Sequence, residues 1–257
     1  MKITTPSNNI LNNVLQQQQK LAQQEASGKR ITNAADDAAG LQISNRLSSV
    51  INGQQQGQRN IADGVAFARV YEQAVQGISD NVNEIERLAI AAGNGIYSDA
   101  DKQALQSEAN GYLANIQQGL TAEFAGKKLF EDTALSFNAG DSNLQLQTQD
   151  LDAALNSQNL FSIDLTQPQT LTTVRAVAEQ LNALQTEVGA SINAFDSASR
   201  AVSGQQVATS EARSRIADLD YAKVSSERAA NNILSQSSVN VAMQARVSSE
   251  QALSLLS

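Results

Sequence analysis

Two stretches of this 257-residue chain repeat apolar side chains at alternating steps of three and four, which restricts them to long helices packed side by side. The first runs Ile61, Val65, Ala68, Val75, Ile78, Val82, Ile85, Ala89, Ala92. The second runs Leu171, Val174, Ala178, Leu181, Leu184, Val188, Ile192, Phe195, Val202. Neither contains proline, and Gly189 is the only glycine inside the second. At about 1.5 Å per residue, each helix reaches on the order of 45 Å or more. Such stripes make coiled-coil seams, and a chain built on them is mainly α.

The segments between the seams carry different signals. Gly93-Asn94-Gly95 stops the first helix. Ser98-Asp99-Ala100-Asp101 reads as an N-cap with acids in the first turn, opening a third helix along Leu105, Ala109, Tyr112, Ile116 and Leu120. The period then falls to two. Leu144, Leu146 and Thr148 alternate with glutamines, and Phe161, Ile163 and Leu165 alternate likewise, predicting short strands. Phe124–Leu129 and Asn138–Asp141 read as the turns around them, and Pro168 closes the region before the second long helix.

Both ends are permissive for helix but thinly apolar. Residues 7–25 offer Leu11, Val14, Leu15, Leu21 and Ala22, and residues 221–257 offer Ala230, Leu234, Val241, Ala245, Ala252 and Leu255, with Ser238 and Ser248 filling steps of the same stripe. An isolated helix of this kind is marginal in water, because nucleation is costly and little area is buried. The ends therefore need partners: each other, or other copies of the chain.

Composition excludes most chemistry. With no His and no Cys, the chain assembles no Ser–His or Cys–His nucleophile, no His- or Cys-ligated metal site and no disulfide. Its 18 basic and 26 acidic residues leave a net charge of −8, which argues against nucleic acid or an anionic membrane as partner. Residues 131–170 hold six acids and no base, so they account for six of those eight charges and are expected to face outward. No apolar run approaches the roughly 18 residues of a membrane span, and no cleavable secretory signal is visible. Gly28-Lys29 and Gly126-Lys127 lack the rest of a phosphate loop, and Asp99/Asp101, Asp150/Asp152 and Asp218/Asp220 lack the rest of a calcium loop. No Asn-x-Ser/Thr acceptor occurs. Asp36-Asp37 is the one carboxylate pair in an unusual setting. Neighbours on a helix diverge by about 100°, so a helix start with Asn33 as cap, offset by Lys29 and Arg30, accounts for the pair better than acid–base catalysis.

The runs Ser27–Ile31, Asn33–Leu41 and Ile43–Leu47 resemble bacterial flagellin, as do Arg59–Gly64, Glu84–Ala89 and Asn94–Ser98. Glu211–Ala222 resembles that family's carboxyl-terminal signature, and Leu253–Leu256 its closing residues. The resemblance covers about 1–130 and 171–257. It implies a long-helix coiled-coil bundle with a small β-hairpin region and paired terminal helices. Residues 1–44 and 213–257 would form an inner filament layer, and 45–212 a rod domain with short strands near 124–165. It also implies a non-enzymatic subunit of the filament used for swimming, with no cofactor and no metal.

Implied partners are other flagellin subunits, the flagellar export apparatus and its chaperone, and the filament cap and hook-junction proteins. The implied location is the extracellular filament, reached without signal-peptide cleavage. Leu11, Val14, Leu21, Asp36, Asp37, Arg46, Arg213, Arg215, Leu234, Val241 and Leu255 become the implied assembly residues. Some flagellins present arginines to an innate immune receptor where this chain has Glu84 and Glu86. A hook–filament junction protein shares the helical termini, but the intact Ala34–Gly40 segment favours flagellin proper. A carboxylate-dependent enzyme, such as a glycosidase, lacks both tryptophan for sugar stacking and a convergent acid pair.

Overall fold

The computed structural model describes the backbone of residues 6–140 and 142–256, with the side chains of 12–140, 142–248 and 251. In chain order it forms α1 (Pro6–Ser27), α2 (Ala38–Ala92), α3 (Asp99–Leu120), β1 (Glu123–Phe124), β2 (Lys127–Lys128), β3 (Thr133–Asn138), β4 (Asn143–Thr148), α4 (Leu151–Ser157), a 3-10 turn (Leu160–Ser162), α5 (Thr170–Ala217) and α6 (Tyr221–Leu256). These group into two compact units, Met1–Ile51 with Val207–Ser257, and Asn52–Gln206.

In the unit Asn52–Gln206, the predicted stripes become the core. Ile61, Ala68, Val75, Ile78, Val82 and Ile85 of α2 are buried with Val174, Leu181, Leu184, Val188, Phe195 and Val202 of α5. Ile116 and Leu120 of α3 join the same cluster. Ser98 caps α3 in a reciprocal box with Asp101, which satisfies two otherwise orphaned backbone donors. Phe67, Tyr71, Leu113 and Val177 are buried in this core too, the last three on the same steps of three and four, as in Ala68–Tyr71–Val75 and Val174–Val177–Leu181. A third layer of structure packs against these helices.

That layer is a hairpin. β3 and β4 pair antiparallel, with Leu135 opposite Leu146 and Phe137 opposite Leu144, so the period of two turns the apolar residues toward the helices. Phe137 meets Phe195 edge-on at 5.4 Å. The hairpin tip settles on α2 because Gly57 has no side chain: a Cβ there would come within 2.6 Å of the Ala139 carbonyl carbon. Asn60 Nδ2 then donates to the Asn138 carbonyl at 2.8 Å. β1 and β2 form a second, minimal ladder around Ala125 and Gly126, both with positive φ. Of the acids in 131–170, Glu131, Asp132, Asp150, Asp152 and Asp164 are exposed, and Asp141 lies outside the described residues.

The alternation Phe161, Ile163, Leu165 does not form a strand. Residues 160–162 make the 3-10 turn, and the chain beyond it lies against α3. Gln106 of α3 supplies what a partner strand would have: its Oε1 accepts from Leu165 N at 2.8 Å, and its Nε2 donates to the Ile163 carbonyl at 3.2 Å. A single side-chain amide satisfies the backbone groups, so no ladder is required. Just before this, Asp150 caps α4 through Ala153 N at 2.9 Å, and Leu151 and Leu155 bury one face of that short helix.

Candidate functional site

The terminal helices pair antiparallel inside the other unit. On α1 the shielded positions are Val14, Gln18, Leu21, Gln24 and Glu25, and on α6 they are Val224, Asn231, Ser235, Ser238 and Ala242. Both sets follow coiled-coil spacing. The α6 side is small and polar, so hydrogen bonds contribute where apolar bulk is missing. Gln18 Nε2 donates to Asn232 Oδ1 at 2.9 Å, Arg228 Nη1 meets Glu25 Oε2 at 2.6 Å, and Tyr221 Oη donates to the Glu25 carbonyl at 3.2 Å.

The pair is closed at one end by the segment leaving α1. Gly28, with φ +65°, turns the chain so that its carbonyl accepts from Leu219 N at 3.1 Å. Arg30 N donates to the Ala217 carbonyl at 2.7 Å, and Arg30 Nη2 reaches the Ile216 carbonyl at 2.7 Å. Gln24 Nε2 donates back to the Arg30 carbonyl. Ile216, Ala217 and Leu219 all belong to the carboxyl-terminal signature Glu211–Ala222.

Asp36 and Asp37 divide their work. Asp36 Oδ2 accepts from Thr32 N at 3.0 Å, Thr32 Oγ1 at 2.8 Å and Asn33 N at 3.3 Å, while Oδ1 meets Lys20 Nζ at 2.8 Å. Asp37 Oδ1 accepts from Gly40 N at 2.8 Å and caps α2. The expected roles therefore shift by residue. Asn33 caps no helix, because its Oδ1 is turned to Ala35 N, and the partner of Asp36 is Lys20 of α1 rather than Lys29. Arg30 lies 3.8 Å from Asp37.

The Lys20 ammonium, followed by the backbone and hydroxyl donors of Thr32, holds the Asp36 carboxyl well below the usual carboxylate range. A depressed folded-state pKa gives stability that is fully present above the unfolded value, about 4, and lost as pH falls through the folded one. Asp36→Asn is thus expected to destabilise the full chain at neutral pH. Thermal melts between about pH 7 and about pH 2 should show its gap from the parent narrowing below about pH 4. A gap independent of pH would refute the assignment.

The other implied assembly residues are spread more widely. Val14 and Leu21 are buried in the α1–α6 seam. Arg46 is exposed on α2; Arg213 is half-buried, and Arg215 is exposed with Glu211 at 3.4 Å. Leu234 and Val241 lie off the intramolecular seam, 51% and 58% exposed. The side chains of Leu11 and Leu255 lie outside the described residues. Ile233, Met243 and Val247, which the stripe did not include, are also more than half exposed, so α6 presents apolar side chains around much of the circumference that α1 leaves uncovered.

No convergent acid pair emerges from Asp36 and Asp37, since one closes the loop and the other caps a helix. Among the described residues, no group of three or more acidic side chains is placed to hold a metal ion, and no helix is long and apolar enough to cross a membrane. Glu84 pairs with Arg87 at 2.8 Å, and Glu86 with Arg175 at 2.8 Å.

Comparison with known proteins agrees with this architecture. The bacterial flagellin N-terminal helical region matches residues 3–134, and the bacterial flagellin C-terminal helical region matches residues 171–256. The flagellin FlaB1 of Treponema pallidum is 30% identical over 258 residues, covering 90% of this chain and 89% of the relative. Two solved structures share the fold. One is a Vibrio parahaemolyticus chain described as a flagellar hook-associated protein, with TM-score 0.61 and 14% identity, covering 71% of this chain and 100% of the other. The second is Bacillus cereus flagellin, with TM-score 0.50 and 20% identity, covering 56% and 88%. With both terminal regions matched and a relative aligned along most of its length, the chain belongs to the bacterial flagellin family, a family of structural proteins of the flagellar filament.

Proposed function

We propose that the α1–α6 pair is the surface through which this filament subunit polymerises, the uncovered face of α6 being buried by terminal helices of neighbouring copies. The observation that carries this reading is the mismatch on α6. Its seam with α1 is made of Val224, Asn231, Ser235, Ser238 and Ala242, while Ile233, Leu234, Val241, Met243 and Val247 are left in water. Burying such a side chain contributes roughly 1.5–3 kcal/mol. Repeated over several contacts in every subunit, that offsets the entropy of ordering two otherwise marginal helices.

On this reading residues 1–44 and 213–257 form the inner layer and 45–212 the rod. Val14 and Leu21 hold α1 to α6, and Leu234 and Val241 hold the pair to other subunits, with Leu11 and Leu255 extending the stripes. Asp36, Asp37, Arg46, Arg213 and Arg215 complete the set of assembly residues. The subunit performs no catalysis, which fits the local structural duties of both aspartates.

The flagellin relatives place the chain in the filament outside the cell. Family membership further supports the export apparatus and its chaperone, the filament cap and the hook-junction proteins as partners, and passage without signal-peptide cleavage. Removing residues 221–257 tests the reading. The truncated chain is expected to stay monomeric by sedimentation and to form no filaments by electron microscopy, with the helicity of 52–206 retained. Filaments from that chain would refute it.

A further inference from the structure

Asn-Gly occurs three times in this sequence, at Asn52-Gly53, Asn94-Gly95 and Asn110-Gly111. The first pair lies inside α2 and the third inside α3, whereas Asn94-Gly95 lies in the exposed turn that joins them. The pair has an intrinsic reactivity, because the glycine nitrogen carries no neighbouring side chain to obstruct its attack on the asparagine carboxamide. Whether the reaction occurs depends on local geometry, so three copies in one chain provide their own controls.

The turn favours reaction at Asn94. Its Oδ1 accepts a hydrogen bond from Ile96 N at 3.3 Å, which folds the carboxamide back over the Gly95 peptide. The ring closed by that bond contains both Cγ of Asn94 and the nitrogen of Gly95, so electrophile and nucleophile are held together. The same donor polarises the carbonyl and stabilises the charge that develops on Oδ1 during attack. Among the described residues no acceptor engages the Gly95 N–H, and a Cβ placed on Gly95 would meet nothing within 4 Å. At Asn52 and Asn110 a Cβ on the glycine would likewise meet nothing within 4 Å, so the difference lies in the helix, which opposes the geometry of attack. The following N–H sits in the helical ladder, and closing the ring requires the asparagine ψ to leave the helical well.

We propose that Asn94 is a site of spontaneous deamidation. Gly95 N loses its proton to hydroxide and bonds to Asn94 Cγ. The Cγ–Nδ2 bond then breaks, and Nδ2 departs with a proton as ammonia, leaving a cyclic imide. Water adds to either imide carbonyl and opens the ring to aspartate or to isoaspartate. The product carries a new carboxylate beside Ile96, which is 81% exposed, and beside Tyr97. In the isoaspartyl form the main chain is one carbon longer within a turn closed by Tyr97 N donating to the Asn94 carbonyl.

Full-length protein incubated at mildly alkaline pH and mapped by peptide mass spectrometry tests this. Asn94 is expected to convert at least about tenfold faster than Asn52 and Asn110, since each factor of ten needs only a small difference in barrier. The rate is expected to rise with pH, because the attacking nitrogen must be deprotonated. Gly95→Ala is expected to slow conversion without unfolding the chain, as the site is open and its φ lies outside the left-handed region. Equal rates at the three asparagines would overturn the proposal. So would an intact Asn94 after an incubation that fully converts a short peptide of the same local sequence, or an unchanged rate in Gly95→Ala.

Discussion

Leu234→Asp combined with Val241→Asp is expected to abolish filament formation while leaving the isolated subunit folded. Both side chains are more than half exposed in the single chain, so the substitutions remove little intramolecular packing. Exposed positions of that kind usually change stability by less than about 0.5 kcal/mol. In a polymer the same positions would bring carboxylates into an apolar contact. The loss there is the burial of two aliphatic side chains, roughly 1.5–3 kcal/mol each, plus the cost of desolvating the charges. Because every subunit repeats the defect, elongation should fail outright. Electron microscopy and sedimentation read the assembly, and circular dichroism of the monomer reads the fold. Normal filaments from the double variant would mean that the outward face of α6 is not the contact. Collapse of monomer helicity would mean that Leu234 and Val241 hold the subunit itself together.

The largest effect on stability is expected at Tyr71. This residue is fully buried in the core of the unit 52–206, stacked near Phe67 at 6.5 Å between centroids and tilted against Phe130 at 5.3 Å. Its hydroxyl accepts from Gln149 N at 3.2 Å, tying α2 to the segment just after β4. Burial pushes the phenol above its ordinary pKa, so it stays neutral across the working range. Tyr71→Ala removes the ring and leaves a cavity, an expected loss of about 3–5 kcal/mol. Tyr71→Phe keeps the ring but leaves the Gln149 N–H without its partner, an expected loss of about 1–3 kcal/mol. Urea denaturation of the full chain separates the two. If Tyr71→Phe cost as much as Tyr71→Ala, the hydrogen bond rather than packing would dominate the site.

Features governed by local periodicity are legible in the amino-acid sequence. The seams of α2 and α5 carry enough large aliphatic residues at constant spacing that only one face can be buried. Ser98 marks the start of α3 because a serine with an aspartate three residues on satisfies two backbone donors at once. The β4 strand shows itself through the alternation of Leu144, Leu146 and Thr148 after the turn at Asn138–Asp141, and the structure supplies β3 as its partner. Pattern and fold diverge where side chains substitute for backbone partners. Phe161, Ile163 and Leu165 alternate as a strand would, but Gln106, more than fifty residues away, takes the hydrogen bonds that a neighbouring strand would have supplied. Asn33 stands at a plausible capping distance, yet Asp37 is one turn closer to the first free N–H groups.

The terminal pair shows the division most clearly. The sequence alone determined that residues 7–25 and 221–257 could be helices with stripes too thin to stand alone, because spacing and side-chain size are local properties. Only the tertiary structure decided which side of α6 faces α1. The seam runs through Val224, Asn231, Ser235, Ser238 and Ala242, whose mean direction lies about 80° around the helix from Leu234 and Val241; of the described residues of the predicted stripe, Ser238 alone falls in it. A thin stripe cannot fix its own partner. When apolar residues are scattered round a helix, the specific bonds of Gln18 to Asn232, Arg228 to Glu25 and Gly28 to Leu219 set the rotation, and these join residues some two hundred positions apart. The −8 charge likewise had its place in the sequence, but only the folded chain could show Glu131, Asp132, Asp150, Asp152 and Asp164 all exposed, since burial is a property of what packs alongside.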